Sequence, residues 1–133
     1  MKLVFKKNIP LYISKQFPVL FGGIFRLDTT TEFAYILYTE DKYPIGCVYG
    51  EILSCGFNEK TGELKHDIMI HKFEIKKVLR GNGYGRTMYN MLVDKLNPSE
   101  IVLNYLDDDA LKFWKRLGFR KNKDSDELYH KFK

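Results

Sequence analysis

One stretch constrains this chain more than any other: Phe73-Glu-Ile-Lys-Lys-Val-Leu-Arg-Gly-Asn-Gly-Tyr-Gly-Arg86. It reads as a strand, a glycine-rich loop and the start of a helix. Phe73 and Ile75 alternate as one strand face does, and Met88, Met91, Leu92 and Leu96 recur at helical spacing. Glycines at a helix start let backbone N–H groups approach an anion with no Cβ in the way. Those first N–H groups have no partner inside the helix and sit at the positive end of its dipole. A phosphate or pyrophosphate is the natural guest. Spacing removes two well-known versions of such a loop. A P-loop needs Gly, four residues, then Gly-Lys-Ser/Thr, but the fifth residue after Gly81 is Arg86 and no Lys-Ser/Thr pair follows. A dinucleotide fingerprint needs a third glycine three residues after Gly83, again the position of Arg86, and normally follows the first strand; this loop lies past the middle of the chain.

The rest of the chain supplies the elements around that loop. Leu3 to Phe5 reads as a first strand. Asn8 is placed to cap a helix with Pro10 in its first turn, with Ile9, Ile13, Phe17 and Leu20 along one face; Pro18 and Gly22-Gly23 end it. Ile24 to Leu27 starts a strand or continues a loop. Phe33 to Thr39, Ile45 to Leu53 and Lys65 to Ile75 read as three strands of a meander. Gly46 and Gly50 mark bulges or close approach. Ile68-Met69-Ile70 is apolar on both faces and belongs in mid-sheet. A helix spans about Gly85 to Leu96, and Ile101 to Leu103 is a short buried strand. Asp107 caps a last helix, whose apolar stripe is Ala110, Phe113, Trp114 and Leu117 and whose left-handed stop is Gly118. Phe119 to Lys121 and Glu127 to Phe132 close the chain as two strands.

At 133 residues, this is enough for one domain with a core that needs no staples. No apolar run reaches the roughly 18 residues of a membrane span, and the N-terminal residues lack the apolar region of a signal peptide. Cys47 and Cys55 have no zinc or CxxC spacing, so no metal is expected and both read as reduced thiols in a cytoplasmic protein. Net charge is +5. Lys72 to Arg86 holds five bases and one acid, a local +4, and a second basic cluster runs from Lys112 to Lys123. Positive charge beside a phosphate loop suits an anionic ligand. It suits nucleic acid as well, although no recognition helix or aromatic RNA-binding motif is apparent.

Two motifs carry a resemblance. Arg80, Gly83 and Gly85 fill the pattern Arg/Gln-x-x-Gly-x-Gly/Ala, and Ala110-Leu-Lys-Phe-Trp-Lys-Arg-Leu-Gly-Phe119 looks like Ala-x-x-Phe/Leu-Tyr-x-x-x-Gly-Phe. Both resemble segments of the Gcn5-related N-acetyltransferases, the GNAT superfamily, and occur in its order across about residues 65 to 119. The resemblance implies an α/β (α+β) fold: a central mixed, mostly antiparallel sheet of six or seven strands flanked by about four helices, as one acetyltransferase domain over residues 1–133.

The resemblance also implies a chemistry. Acetyl-CoA, used as co-substrate without a metal, lies against Phe73, Glu74 and Ile75. Its pyrophosphate sits on Arg80, Gly81, Asn82, Gly83, Tyr84, Gly85 and Arg86, with Lys76 and Lys77 as further cations. Asp107 stands where the family often has an Asn near the cofactor; a carboxylate there caps the helix but repels phosphate. Trp114 stands where the family usually has a Tyr near the sulfur, and an indole is no acid at neutral pH. His71 is the candidate general base, sharing the face of Phe73 and Ile75 if the strand has no bulge, and Glu74 is a weaker alternative base. The implied activity is transfer of acetyl from acetyl-CoA to a primary amine by direct attack in a ternary complex. The amine is a small molecule, a peptide or an aminoacyl-tRNA, and the protein is a monomer or homodimer. Trp114 keeps a second reading open, a catalytically degenerate acyl-CoA-binding regulatory module.

Overall fold

The computed structural model describes residues 1–17, 25–57, 59–62 and 64–132. Its central sheet has seven strands in the order β1-β4-β5-β6-β7-β9-β8. These are β1 (Lys2–Phe5), β4 (Glu32–Tyr38), β5 (Pro44–Phe57), β6 (Leu64–Ile75), β7 (Glu100–Asn104), β8 (Arg120–Lys121) and β9 (Glu127–Lys131). Every neighbouring pair is antiparallel except β6–β7, which is parallel. A small second sheet joins β2 (Asn8–Ile9) to β3 (Phe25–Arg26). Three α-helices occur among the described residues: α1 (Leu11–Ser14), α2 (Tyr84–Leu96) and α3 (Asp108–Arg116), with a 3-10 turn at Lys77–Leu79.

β4 shows why the sheet is covered on both faces. Phe33, Tyr35 and Leu37 join one core with Met88, Tyr89 and Leu92 of α2 and with Trp114 of α3. The alternate residues Ala34 and Ile36 join a second core with Ile9, Ile13, Phe17, Leu27 and Cys47 on the α1 side. A period of two along a strand needs both faces apolar when both are buried. Ile68 and Ile70 are buried in β6, which lies between β5 and β7 as its apolar run predicts.

The helix punctuation of the second half is local and obeys its residues. α2 begins after Gly83 at φ +82° and stops at Asn97 at φ +44°. Asp107 accepts a bond from the Ala110 N–H at 2.8 Å, while Asp108 and Asp109 open α3 and Lys115 and Arg116 close it, as the helix dipole favours. Gly118 follows at φ +103°.

The first helix departs from the sequence reading. Asn8 does not cap it: Asn8 pairs with Arg26 in β2–β3, and α1 starts only after Pro10, which is extended at φ −61°, ψ 152°. A residue before proline is pushed out of the helical region, so Ile9 cannot begin a helix. The stop expected at Pro18 and Gly22-Gly23 lies outside the described residues. β5 also runs to Phe57 rather than Leu53, and β6 starts at Leu64, so the hairpin is longer and its loop shorter than expected.

Candidate functional site

The parallel pairing of β6 and β7 runs only from Asp67–Glu100 to Ile70–Leu103. Beyond it β6 continues to Ile75 while β7 ends at Asn104. The two strands therefore part, and past Ile70 one edge of β6 no longer pairs with β7. A cleft of about 760 Å³ fills the gap. One wall is β6 from Ile70 to Ile75, the other is Leu103 to Asp107 with α3, and the glycine loop closes one end.

The loop's glycines serve two purposes. Gly81 and Gly83 have φ of +87° and +82°, and a Cβ on either would meet nothing within 4 Å, so backbone conformation selects glycine there. At Gly85 the limit is space: a Cβ would lie 2.9 Å from Phe113 Cε1 on α3. The loop delivers the first N–H groups of α2 to the cleft. Arg86 and Arg116 line it with positive charge; Arg116 was legible in the sequence only as part of a basic cluster.

Arg80 behaves differently from the loop's other cation. Its Nε donates to the Ile75 carbonyl at 2.9 Å and its Nη2 to Glu74 Oε1 at 3.3 Å. It ties the loop to the end of β6, and its charge is shared with a carboxylate. Lys76, expected beside the phosphates, lies 4.1 Å over the Tyr43 ring and donates to Gln16 Oε1. Asn82 Nδ2 donates to the Leu79 carbonyl at 3.0 Å, which holds the loop's own turn.

Trp114 is 6% exposed and is met edge-on by Phe73 and Phe113 at 4.9 Å and by Phe119 at 5.1 Å. It is a rigid apolar wall of the cleft. Asp107 lines the cleft as well, with its carboxylate engaged in capping α3.

The regular strand on which His71 would share the face of Phe73 is interrupted at His71 itself. Tyr49 pairs with Lys72 and Gly50 with Ile70, so His71 is the extra residue of a bulge. The side chain leaves the face of Phe73 and meets Tyr49 and Glu51 of β5 instead. Its ring centroid is 5.6 Å from that of Tyr49, and its Nε2 lies 2.9 Å from Glu51 Oε1. It still contributes to the cleft wall. Gly50 makes this possible: a Cβ there would lie 2.2 Å from the Met69 carbonyl and 2.6 Å from Phe33 Cζ. Glu74 faces away from Phe73, opposite Cys47. Its Oε1 is held by Arg80, and among the described residues its Oε2 is buried without a hydrogen-bond partner. Burial, and secondarily the Glu74 carboxylate, push the Cys47 thiol up, which leaves it an inert core residue.

Two further groups sit beside His71. Tyr49 donates its hydroxyl to Glu32 Oε2. Burial first, then that bond, push the Tyr49 phenol up to about 12. The Tyr49 bond, then the Asp28 N–H, hold the Glu32 carboxyl below its usual range. Sequence reasoning missed Tyr49 and Glu51 as neighbours of His71. The signal was Gly50, which marks the bulge in mid-strand.

The model of the acetyltransferase (GNAT) family matches residues 8–119. Solved structures that share the fold include the following three. A complex of KacTA with DNA is 21% identical with a TM-score of 0.56, over 78% of this chain and 70% of that one. AtaT complexed with acetyl-methionyl-tRNAfMet is 17% identical with a TM-score of 0.58, over 77% and 72%. A point mutant of the AtaT toxin bound to the C-terminus of the antitoxin AtaR and acetyl-CoA is 16% identical with a TM-score of 0.57, over 98% and 94%. No curated protein sequence matches. Among the described residues no helix is long and apolar enough to cross a membrane.

Proposed function

We propose, from the premise that the chain belongs to the acetyltransferase (GNAT) family, that it transfers the acetyl group of acetyl-CoA to a primary amine by direct attack in a ternary complex. One observation carries the reading: the parting of β6 and β7 beyond Ile70 opens a cleft continuous with the glycine loop. The residues present fit acetyl-CoA. The N–H groups at the start of α2, with Arg86 and Arg116, offer donors and positive charge to phosphates. Along the stretch Phe73, Glu74 and Ile75 the edge of β6 that β7 leaves offers the main-chain groups of Phe73 and the N–H of Ile75 to an amide-bearing arm, the Glu74 main chain being turned to β5 and the Ile75 carbonyl already accepting from Arg80. Trp114 offers the arm an apolar wall. The edge from Ile75 back to His71 is ~13 Å long at roughly 3.3 Å per residue, so an arm that follows it from the loop ends beside His71.

His71 is the proposed base. It takes a proton from the ammonium form of the acceptor. The free amine attacks the thioester carbon, the C–N bond forms, the C–S bond breaks, and the thiolate leaves as CoA. The thiolate takes up the second proton released by nitrogen, through water. Glu74 is the weaker alternative, because Arg80 already holds its carboxylate. Trp114 favours the second reading, a module that binds acyl-CoA without turnover, since it replaces the usual phenol with a side chain that has no acidic proton at neutral pH. Proposed with the activity are one acetyltransferase domain over residues 1–133, a cytoplasmic location, and a monomeric or homodimeric state.

The test is release of free CoA with a panel of spermidine, histamine, a lysine-containing peptide and methionyl-tRNA. The AtaT complex is the reason a charged tRNA belongs in the panel. Release above the no-amine rate with any member supports transfer. Acetyl-CoA binding with no release for any of them supports the regulatory module.

A further inference from the structure

Resting on the transfer reading above, we infer that Glu51 is the positioning residue for His71: it fixes the imidazole in the tautomer whose bare nitrogen is Nδ1. An ionised carboxylate has only acceptors to offer, so the 2.9 Å contact with Glu51 Oε1 requires the hydrogen on His71 Nε2. In the neutral ring Nδ1 is then the proton acceptor, because the bond made by one nitrogen decides the role of the other. The Tyr49 ring, 5.6 Å away at 32° to the imidazole, limits its swing.

Three features show that the backbone is arranged for this pair. His71 is the unpaired residue of the bulge, and without the bulge its side chain would share the Phe73 face, away from Glu51. Gly50, immediately before Glu51, is the residue whose missing Cβ lets β5 and β6 approach at that point. The bulge also lies where β6 and β7 part, at the inner end of the cleft. As a structural tie the pair is weak. Its side chains are 32% and 37% exposed, and a pair so placed contributes little to folding. A role in stability therefore predicts almost nothing on removal of Glu51, whereas a role in aiming His71 predicts a large loss of rate.

The test begins with long-range proton–nitrogen correlation spectra of 15N-labelled protein, wild type and Glu51→Ala. The wild type is expected to show the Nε2–H tautomer for His71, and Glu51→Ala to lose that preference. Acetyl transfer is then followed with whichever member of the amine panel turns over fastest. Glu51→Ala and His71→Ala should each lower kcat at least tenfold and leave KM for acetyl-CoA within twofold. The double variant should be no slower than His71→Ala alone, the mark of two residues acting as one. Glu51→Gln, whose amide oxygen still accepts a bond, should recover part of the loss, and the melting temperature should stay within about 2 °C throughout. A wild-type kcat in Glu51→Ala, or losses that multiply in the double variant, would overturn the role of Glu51. A wild type that binds acetyl-CoA and shows the expected tautomer but acetylates no amine would overturn the transfer reading itself.

Discussion

The two sides of the cleft are built in different ways. The loop side is assembled from short local units. Arg80 to Arg86 and the cap Asp107 are set by neighbours a few positions away, through positive-φ glycines and a helix cap, and Phe113 and Trp114 of α3 pack these units together against Gly85 and Phe73. The His71 side draws on three strands. Glu32, Tyr49, Glu51 and His71 come together only through strand pairing, and a single bulged residue decides which face His71 takes. The contrast separates two kinds of site: one made by local backbone conformation, which tolerates changes elsewhere, and one made by register, which depends on a packed sheet.

The sharpest way to divide the two sides is His71→Ala. It should lower kcat by roughly 10²–10⁴, the usual contribution of a positioned base. Acetyl-CoA affinity should stay within about twofold, read by calorimetry, because the loop does not depend on that residue. A parallel loss of affinity would mean the two sides are not separable.

Gly50→Ala breaks the register side through its backbone. The added Cβ meets a carbonyl oxygen at 2.2 Å, an atom that cannot step aside cheaply. Denaturant unfolding should show a loss of about 1–3 kcal/mol, with transfer rate falling further than loop affinity. Unchanged stability would mean the strands separate there at no cost.

Asp107→Ala probes the loop side in the same terms. It removes the acceptor of the Ala110 N–H bond and should cost ~1 kcal/mol, a fall of about 2–5 °C in Tm. The same substitution removes a carboxylate from the cleft, so acetyl-CoA affinity should hold or rise.

The smallest effect expected lies outside both sides. Burial lowers the folded-state pKa of His130 from 6.5, so below about pH 6.5 the unfolded chain binds a proton that the folded protein refuses. The contribution is present in full above that pH and is lost as pH falls below it. Thermal melts should show stability declining on acidification through this window, and less steeply in His130→Gln.

How much of this was legible follows from the same contrast. The strand–loop–helix unit, the Asp107 cap, the Gly118 stop and the mid-sheet place of Ile68 to Ile70 each rest on residues within one or two turns, and each stands where the sequence puts it. The pair of His71 with Glu51 was not legible. Strand parity gives a side chain's face only while the register is regular, and Gly50 announced an irregularity without saying which residue of β6 would be displaced. Asn8 misled for a related reason. Its capping side chain suits a helix, but pairing with Arg26 holds it extended, and Pro10 keeps Ile9 out of the helical region. Arg80 and Lys76 carry charge that reads as phosphate-binding, and their contacts with Glu74, Gln16 and Tyr43 are set by folding rather than by sequence spacing.

The most direct test of the central claim is calorimetric titration of acetyl-CoA into wild type and Gly83→Asp. Gly83 precedes α2 at φ +82° with no heavy atom within 4 Å of an added Cβ. Asp enters left-handed backbone more readily than most side chains, at a cost of about 1–2 kcal/mol, so the variant should fold with a lowered Tm while placing a carboxylate before the N–H groups meant for the pyrophosphate. Binding on the order of micromolar is expected in the wild type, and a loss of at least about a hundredfold, ~2.7 kcal/mol, in the variant. Absence of binding in the wild type, or equal binding in the variant, would contradict it.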